Sequence, residues 1–452
     1  MIRIHFKTYG CQMNKVDAQL VAGQLRARFN DACEFTDNEA DADIILFETC
    51  SVRAQAENRV WSNLGRLRAV KAAKPSLLIC VIGCMAQKEA DAIRRRAPHV
   101  DLVVGTQRLD RIPDYIDSLL NGGPPVVDTS GEGTVERLYD ARPQRDEKFA
   151  AWLPVSRGCD KRCTYCVVPG TRGPEVSTPV DALISRARQL ADDGAVCLTL
   201  LAQTIDTYGQ DLNDPNQTLA VLLRRLHAEL PALERINFVT SYPSTASESI
   251  FEAVRDCPRV SRYLHLPVQS GSDGVLKRMK RGYTLARYEA VVDAARKTVP
   301  GIEIATDVIV GFPGESDADF EETYKLIERT RFCGAFIFRY SPRDGTPAAR
   351  LADDVPDGVK RERQQALLKL QEAISIEMNA ALTGQVARVF VEGLSDRDSS
   401  RWAGRTDTQR IVVFPAAENE SLAGQFVDVL VESSTALTLA GRRIEKTVPA
   451  RG

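Results

Sequence analysis

Short apolar stretches rich in β-branched residues, at positions 2–6, 44–47, 77–82 and 102–104, alternate with longer segments. In those segments, 16–29 and 53–70, apolar residues recur at helical spacing. Strand and helix in turn predict a parallel sheet covered by helices over residues 1–120. The run Asn121-Gly122-Gly123-Pro124-Pro125 breaks the pattern, and the polar chain that follows to about Glu147 predicts a linker. A second strand–helix series spans about 145–376, with strands expected at 195–201, 236–240, 263–268, 302–310 and 335–340. Five or six such units predict a complete or partial (β/α) barrel, whose working groups sit at the carboxyl ends of its strands. A long helix is expected over 357–382. Alternating apolar positions at 385–391, 410–414 and 425–431 then predict a small β-barrel or sandwich over 380–446. The fold class is α/β with this small β unit appended.

Composition narrows the class. Of 452 residues, 44% are hydrophobic and 27% charged, which suits a folded globular protein rather than a disordered or fibrous one. The net charge of −2 gives no global attraction to nucleic acid, so such a partner would need a local patch. No apolar run approaches the ~20 residues of a membrane span, and the N-terminal segment carries no secretory core. A cytoplasmic protein without membrane contact is expected. The 11 cysteines are sparse and odd in number, so in a reducing compartment they are core residues, redox groups or metal ligands.

Three of them follow three predicted strands of the first unit: Cys11 after Tyr9-Gly10, Cys50 after Glu48-Thr49, and Cys84 after Ile82-Gly83. At the carboxyl edge of a parallel sheet, loops from neighbouring strands converge. The topology could therefore bring the three thiols together, although each alone would also serve as a small buried residue. Cys80 lies inside its strand and reads as core, while Cys33, Cys197, Cys257 and Cys333 have no partnered spacing.

The sharpest local signal is Val155-Ser156-Arg157-Gly158-Cys159-Asp160-Lys161-Arg162-Cys163-Thr164-Tyr165-Cys166. Thiolate is the ligand of iron–sulfur clusters. A loop with three thiols leaves one iron of a four-iron cubane open, as a catalytic site requires. A molecule carrying an amine and a carboxylate could chelate that iron. Arg157, Lys161 and Arg162 would favour thiolates and an anionic cluster. A zinc loop completed by a distant His or Cys is the competing reading, with four histidines in the chain and none close by.

This loop resembles the signature of radical S-adenosylmethionine enzymes. Together with Thr8-Tyr9-Gly10-Cys11-Gln12-Met13-Asn14, Glu48-Thr49-Cys50-Ser51-Val52-Arg53 and Gly83-Cys84-Met85-Ala86-Gln87, it resembles the methylthiotransferases. The chain is most similar to those acting on N6-dimethylallyladenosine in tRNA, and the last unit is similar to a TRAM domain. The resemblance implies two [4Fe-4S] clusters and S-adenosylmethionine as cofactors. Cys159, Cys163 and Cys166 would hold the cluster that cleaves S-adenosylmethionine, and Cys11, Cys50 and Cys84 an auxiliary one. A 5′-deoxyadenosyl radical would activate the unreactive C2–H of an isopentenyl-type adenosine at position 37, beside the anticodon, for replacement by a methylthio group.

On the matching segments, Tyr165, Gln203 and Asp307 are the expected cofactor contacts. Lys277 and Arg281, in a basic run with Arg278 and Lys280, could meet RNA phosphates. Arg343 beside Tyr340 is a candidate for holding the target nucleotide, and Trp402, Arg405 and Arg410 offer a basic and aromatic face in the last unit. Expected partners are tRNA and an electron-donor protein such as flavodoxin or ferredoxin, with the chain itself a monomer. The chain departs from the family pattern at Pro174, Thr178, Ala202 and Tyr242, the last where a histidine is more usual. Methylthiolation of threonylcarbamoyl-adenosine or of a ribosomal-protein aspartate is the neighbouring alternative, against which Gln12-Met13-Asn14 speaks. An RNA module whose cysteines hold zinc structurally is the alternative of another class.

Overall fold

Ile44–Thr49 and Leu78–Gly83 are buried at every position, the mark of parallel strands covered on both faces. In the computed structural model, which describes residues 1–51, 54–131, 135–145, 147–417 and 420–444, they are the centre of the first sheet. The first unit runs β1 (Ile2–Tyr9), α1 (Gln12–Phe29), β2 (Cys33–Phe35), β3 (Ile44–Thr49), α2 (Ala54–Ala73) and β4 (Leu78–Gly83). It continues through α3 (Cys84–Arg96), β5 (Leu102–Val104), α4 (Ile112–Leu120) and β6 (Val126–Asp128). All six strands are parallel, in the order β2-β1-β3-β4-β5-β6. Ile44, Leu46, Cys80 and Ile82 pack on α1 and α4, whereas Ile45, Phe47, Ile79 and Val81 pack on α2 and α3. Each such side chain contributes about 1.5–3 kcal/mol by leaving water.

The expected linker starts too early. Val126-Val127 follow two prolines and add β6 to the sheet, pairing Val126 with Leu102, so the first unit extends past residue 120. Arg53, where the second helix was expected to begin, and residue 446, the expected end of the last unit, lie outside the described residues.

The second unit holds β7 (Ala150–Pro154), β8 (Ser156–Arg157), α5 (Val168–Arg172), β9 (Val176–Ser177), α6 (Val180–Asp192), β10 (Cys197–Leu201), α7 (Leu219–Glu229) and β11 (Arg235–Phe238). After these come α8 (Glu248–Asp256), β12 (Tyr263–His265), α9 (Asp273–Arg278), α10 (Leu285–Thr298), β13 (Glu303–Val310), α11 (Asp317–Thr330) and β14 (Gly334–Arg339). Two parallel three-stranded sheets, β7-β10-β11 and β12-β13-β14, meet at a bridge between Ile236 and Val260. This is a partial barrel of six strands. Its outer face packs on the helices through one core that includes Leu198, Leu200, Ile236, Ile304, Val308 and Ile337. The core of the first unit also takes in Leu201 and Trp152 of the barrel, so the two units share buried surface.

Helix α12 (Asp357–Ala380) leads to β15 (Val386–Ser395), β16 (Asp398–Arg405), β17 (Ile411–Pro415), β18 (Phe426–Ser434) and β19 (Thr438–Ile444), a closed barrel in the order β15-β16-β17-β19-β18. Its candidate RNA residues are engaged within the protein, contrary to expectation. Trp402 is 6% exposed in the barrel core. Arg405 donates from Nε to Glu392, 3.1 Å away, and its carbonyl accepts from Arg235 at 2.7 Å. Arg410 spans to Glu303 at the start of β13, Nη2 lying 2.6 Å from Oε1 and 2.5 Å from Oε2. The guanidinium is thus spent on joining two units. Because that pair is largely buried, removing one partner strands the other. Arg410→Ala is expected to cost about 3 kcal/mol, seen in calorimetry as an early-melting component. Arg405→Ala, in a more exposed pair, should cost no more than about 1 kcal/mol.

Candidate active site

Register gathers the first three cysteines. Tyr9 pairs with Thr49, and Thr49 pairs with Gly83, so Cys11, Cys50 and Cys84 leave the same edge of β1, β3 and β4. The chain crosses from β1 to β2 on one side and reaches β3 on the other, which makes this edge a topological switch point. Cys11 is the N-cap of α1 and Cys84 the first residue of α3, where unpaired backbone N–H groups favour an anionic sulfur. Gly10 permits the close approach: a Cβ there would strike the Cβ of Cys50 and the amide of Asn14.

Asn14, buried one turn into α1, ties the edge together. Its Oδ1 accepts from the Cys11 thiol at 3.2 Å, and its Nδ2 donates to Glu48 Oε1 at 2.7 Å and to the Thr49 carbonyl at 3.0 Å. Glu48 is fully buried and its Oε2 has no partner. Burial, with the charge of Asp17, pushes its carboxyl well above the ordinary range. The Cys11 thiol is lowered chiefly by its hydrogen bond with Cys50, and Cys84 is raised by burial.

The loop of Cys159, Cys163 and Cys166 begins where β8 ends, at the carboxyl side of β7. Gly158 has φ +80°, and a Cβ there would run into the Pro174 carbonyl. The Cys159 amide donates to the Gly173 carbonyl at 3.1 Å, so the returning chain shapes the loop. Cys159 Sγ lies 3.6 Å from the Thr204 hydroxyl, and the Val168 amide donates to Cys166 Sγ at 3.5 Å. Burial pushes Cys166 up to about 12.

Arg281 departs from its expected role. Buried at 6% exposure, it donates from Nη1 to Cys163 Sγ and to the Tyr165 hydroxyl, both at 3.3 Å, and from Nη2 to the Pro267 carbonyl. Tyr242 and Tyr283 stack on it, 4.6 and 5.3 Å from ring centre to guanidinium. A guanidinium enclosed in this way faces the thiols and not a surface phosphate. Arg278 is tied to the Gly314 carbonyl at 2.9 Å, while Lys277 and Lys280 are exposed. Arg343 is half-buried in the turn after β14, where its carbonyl accepts from Thr346.

The expected cofactor contacts line the barrel around the loop. Gln203 precedes Thr204, and its Oε1 is buried without a partner. Asp307 lies on the inner face of β13, its Oδ1 3.0 Å from His265 Nε2. Phe336, paired in register with Asp307, sits 6.1 Å from the His265 ring and is 55% exposed. The spacing of motifs could not reveal Asn14, Glu48 or Phe336 as site residues, because their roles come from tertiary neighbours.

One buried carboxylate, paired with two arginines, joins the two cysteine sets. Asp17 of α1, fully buried, meets Arg157 Nη1 at 2.6 Å and Arg172 Nη2 at 3.0 Å. Arg157 precedes the loop and Arg172 ends α5, which follows it. The helix itself, Val168–Arg172, rises about 6 Å. Arg172 in turn acts electrostatically on Cys84 and Cys11.

Among the described residues, no three His, Cys, Asp or Glu side chains converge as a single metal ion would require. A multinuclear cluster spaces its ligands more widely. All-sulfur donors in threes, two of the first set at helix N-termini and the second set wrapped by a loop over a left-handed glycine, fit iron–sulfur clusters. The Gly158 turn gives a direct check. Gly158→Ala forces a strained backbone costing about 1–3 kcal/mol, and should strip iron from the loop set while sparing the first set. Unchanged iron content and melting temperature would contradict the turn's role.

Family models match residues 3–105 (Uncharacterized protein family UPF0004), 153–327 (Radical SAM superfamily) and 380–444 (TRAM domain). Among solved structures, the radical S-adenosylmethionine methyltransferase TsrM from Kitasatospora setae matches with TM-score 0.56 and 14% identity, over 77% of this chain and 75% of that one. The cobalamin-dependent S-adenosylmethionine radical enzyme OxsB matches with TM-score 0.53 and 16% identity, over 83% of this chain and 56% of that one. At such identities these likenesses show the fold alone. Among sequences, a tRNA-2-methylthio-N(6)-dimethylallyladenosine synthase from Rhodopirellula baltica is 43% identical over 97% of this chain and 95% of its own length. Enzymes of the same name from Thermoanaerobacter pseudethanolicus and Burkholderia mallei are 41% and 42% identical, each over 98% of this chain and 92% and 97% of their own lengths. With relatives this similar along nearly its whole length, the chain belongs to the tRNA-2-methylthio-N(6)-dimethylallyladenosine synthase family.

Proposed function

We propose that this chain is a radical S-adenosylmethionine methylthiotransferase that attaches a methylthio group to C2 of an N6-dimethylallyl-type adenosine, at position 37 of tRNA. The observation that carries the reading is the pair of cysteine trios, one at a switch point and one on a loop, joined through Asp17. Family membership adds the reaction and the substrate class. When bound, a [4Fe-4S] cluster on Cys159, Cys163 and Cys166 would supply the electron that cleaves S-adenosylmethionine, and one on Cys11, Cys50 and Cys84 a place for sulfur.

The chain's own residues do the rest. Arg281 sets a positive charge against Cys163 and keeps water from that side with Tyr242 and Tyr283. Gln203, with a buried unpaired oxygen, and the carboxylate of Asp307, held by His265, offer polar contacts to S-adenosylmethionine in the barrel. Tyr165 braces Arg281 in the same pocket. Phe336 presents an exposed aromatic face on the inner side of β14, suited to a base taken out of its stack. Lys277, Lys280 and Arg343 are the proposed phosphate contacts, with Arg281 reassigned from the RNA surface to the cluster loop.

The reading includes tRNA as substrate, a small electron donor such as flavodoxin or ferredoxin, and a monomer working in the cytoplasm. No helix among the described residues is long and apolar enough to cross a membrane. The units assigned are 1–120, 145–376 and 380–446, with the first extended through β6.

Anaerobically reconstituted protein should hold about eight irons per chain, and variants lacking either trio about four. Cys163→Ala should abolish cleavage of S-adenosylmethionine. Cys50→Ala should leave cleavage largely intact while ending formation of methylthio-adenosine in tRNA. Methylthio product from the Cys50→Ala protein would refute the division of labour.

A further inference from the structure

Arg172 comes from the barrel unit, yet its surroundings belong to the first unit. The residue is 7% exposed, and Nη2 lies 3.0 Å from Asp17 Oδ2. The helix that delivers it, α5, packs on α3, whose first residue is Cys84. The Thr106 hydroxyl, just beyond β5, donates to the Thr171 carbonyl and pins the end of that helix to the first unit. Arg172 is thus joined through Asp17 to α1, which Cys11 caps, and is carried by α5 against α3, which Cys84 begins.

At the other trio a buried arginine stands in direct contact, Arg281 donating to Cys163. Both sets of three thiols therefore have an enclosed arginine in the elements that carry them. The physical need is common to both. Three thiolates around an iron–sulfur core carry net negative charge, and in a low-dielectric interior such charge is costly unless a cation faces it.

We propose that Arg172 is a positioning residue of the Cys11–Cys50–Cys84 site. Its guanidinium, fixed by Asp17, supplies from the neighbouring unit the positive charge that the sulfur centre on those thiols requires. The site is then complete only when the barrel is docked, which couples the auxiliary centre to the loop that holds the other one. The inference rests on the proposed two-cluster reading and adds to it a residue outside any cysteine motif.

The test uses the full chain with Cys159, Cys163 and Cys166 all changed to Ala, so that only the first trio can hold iron. Iron content and the midpoint potential of the reduced signal are measured by anaerobic redox titration with electron paramagnetic resonance. In that background Arg172→Gln should shift the midpoint to more negative potential, at a melting temperature lowered by the loss of one partner of Asp17. Arg172→Lys, which keeps the charge, should stay nearer the parent. Asp17→Asn, which leaves the guanidinium unneutralised, should shift the midpoint positive, and this arm carries the test if Arg172→Gln fails to fold. No iron in the parent would defeat the two-cluster reading itself. Iron bound in the parent, with the same potential in Arg172→Gln and Asp17→Asn, would overturn the role of Arg172 alone.

Discussion

A carboxylate with no access to water, Asp17, sits between two arginines of a different structural unit, and the rest of the architecture depends on that contact. Losing one side of such a buried pair leaves an uncompensated charge, a penalty of several kcal/mol. The pair consequently specifies how sheet docks on barrel, beside the apolar contact of Leu201 and Trp152. Its two arginines bracket the cysteine loop in sequence, so docking the units also sets where that loop lies relative to the first trio.

Each half of the site follows a rule of its own scaffold. In the first unit, strand register aligns Tyr9, Thr49 and Gly83, and the thiols simply continue from there. In the second, the loop leaves the carboxyl end of the first barrel strand, and polar side chains on the inner face of β13 stand opposite. The third unit is bound by Arg410 to Glu303 at the opposite, amino end of β13. It therefore closes the end of the barrel away from the cysteines and leaves the mouth to the substrate.

Much of this was legible in the sequence, for identifiable reasons. Alternating strand and helix periods announced the two α/β units, and the spacing of Cys159, Cys163 and Cys166 announced a sulfur-ligand loop. The closed form of the last barrel was only half legible, because β16 (Asp398–Arg405) opens on a polar run. β6 was hidden behind Pro124-Pro125 in a stretch that otherwise reads as linker. Charge misled most. Arg281 and Arg410 look in sequence like RNA contacts, but pairing with enclosed partners is a tertiary fact that no local pattern carries, and Arg405 is taken up by Glu392 on the barrel surface. The contacts of Asn14 and Arg172 are tertiary in the same way.

The central claim is that the two trios hold two paramagnetic centres near enough to share one substrate. The most direct measurement is the electron paramagnetic resonance spectrum of the fully reduced protein, compared with the spectra of variants lacking one trio or the other. Spin–spin coupling should broaden and split the signal beyond the sum of the two single-centre spectra, with faster relaxation of both. A spectrum equal to that sum, with unaltered relaxation, would contradict the account.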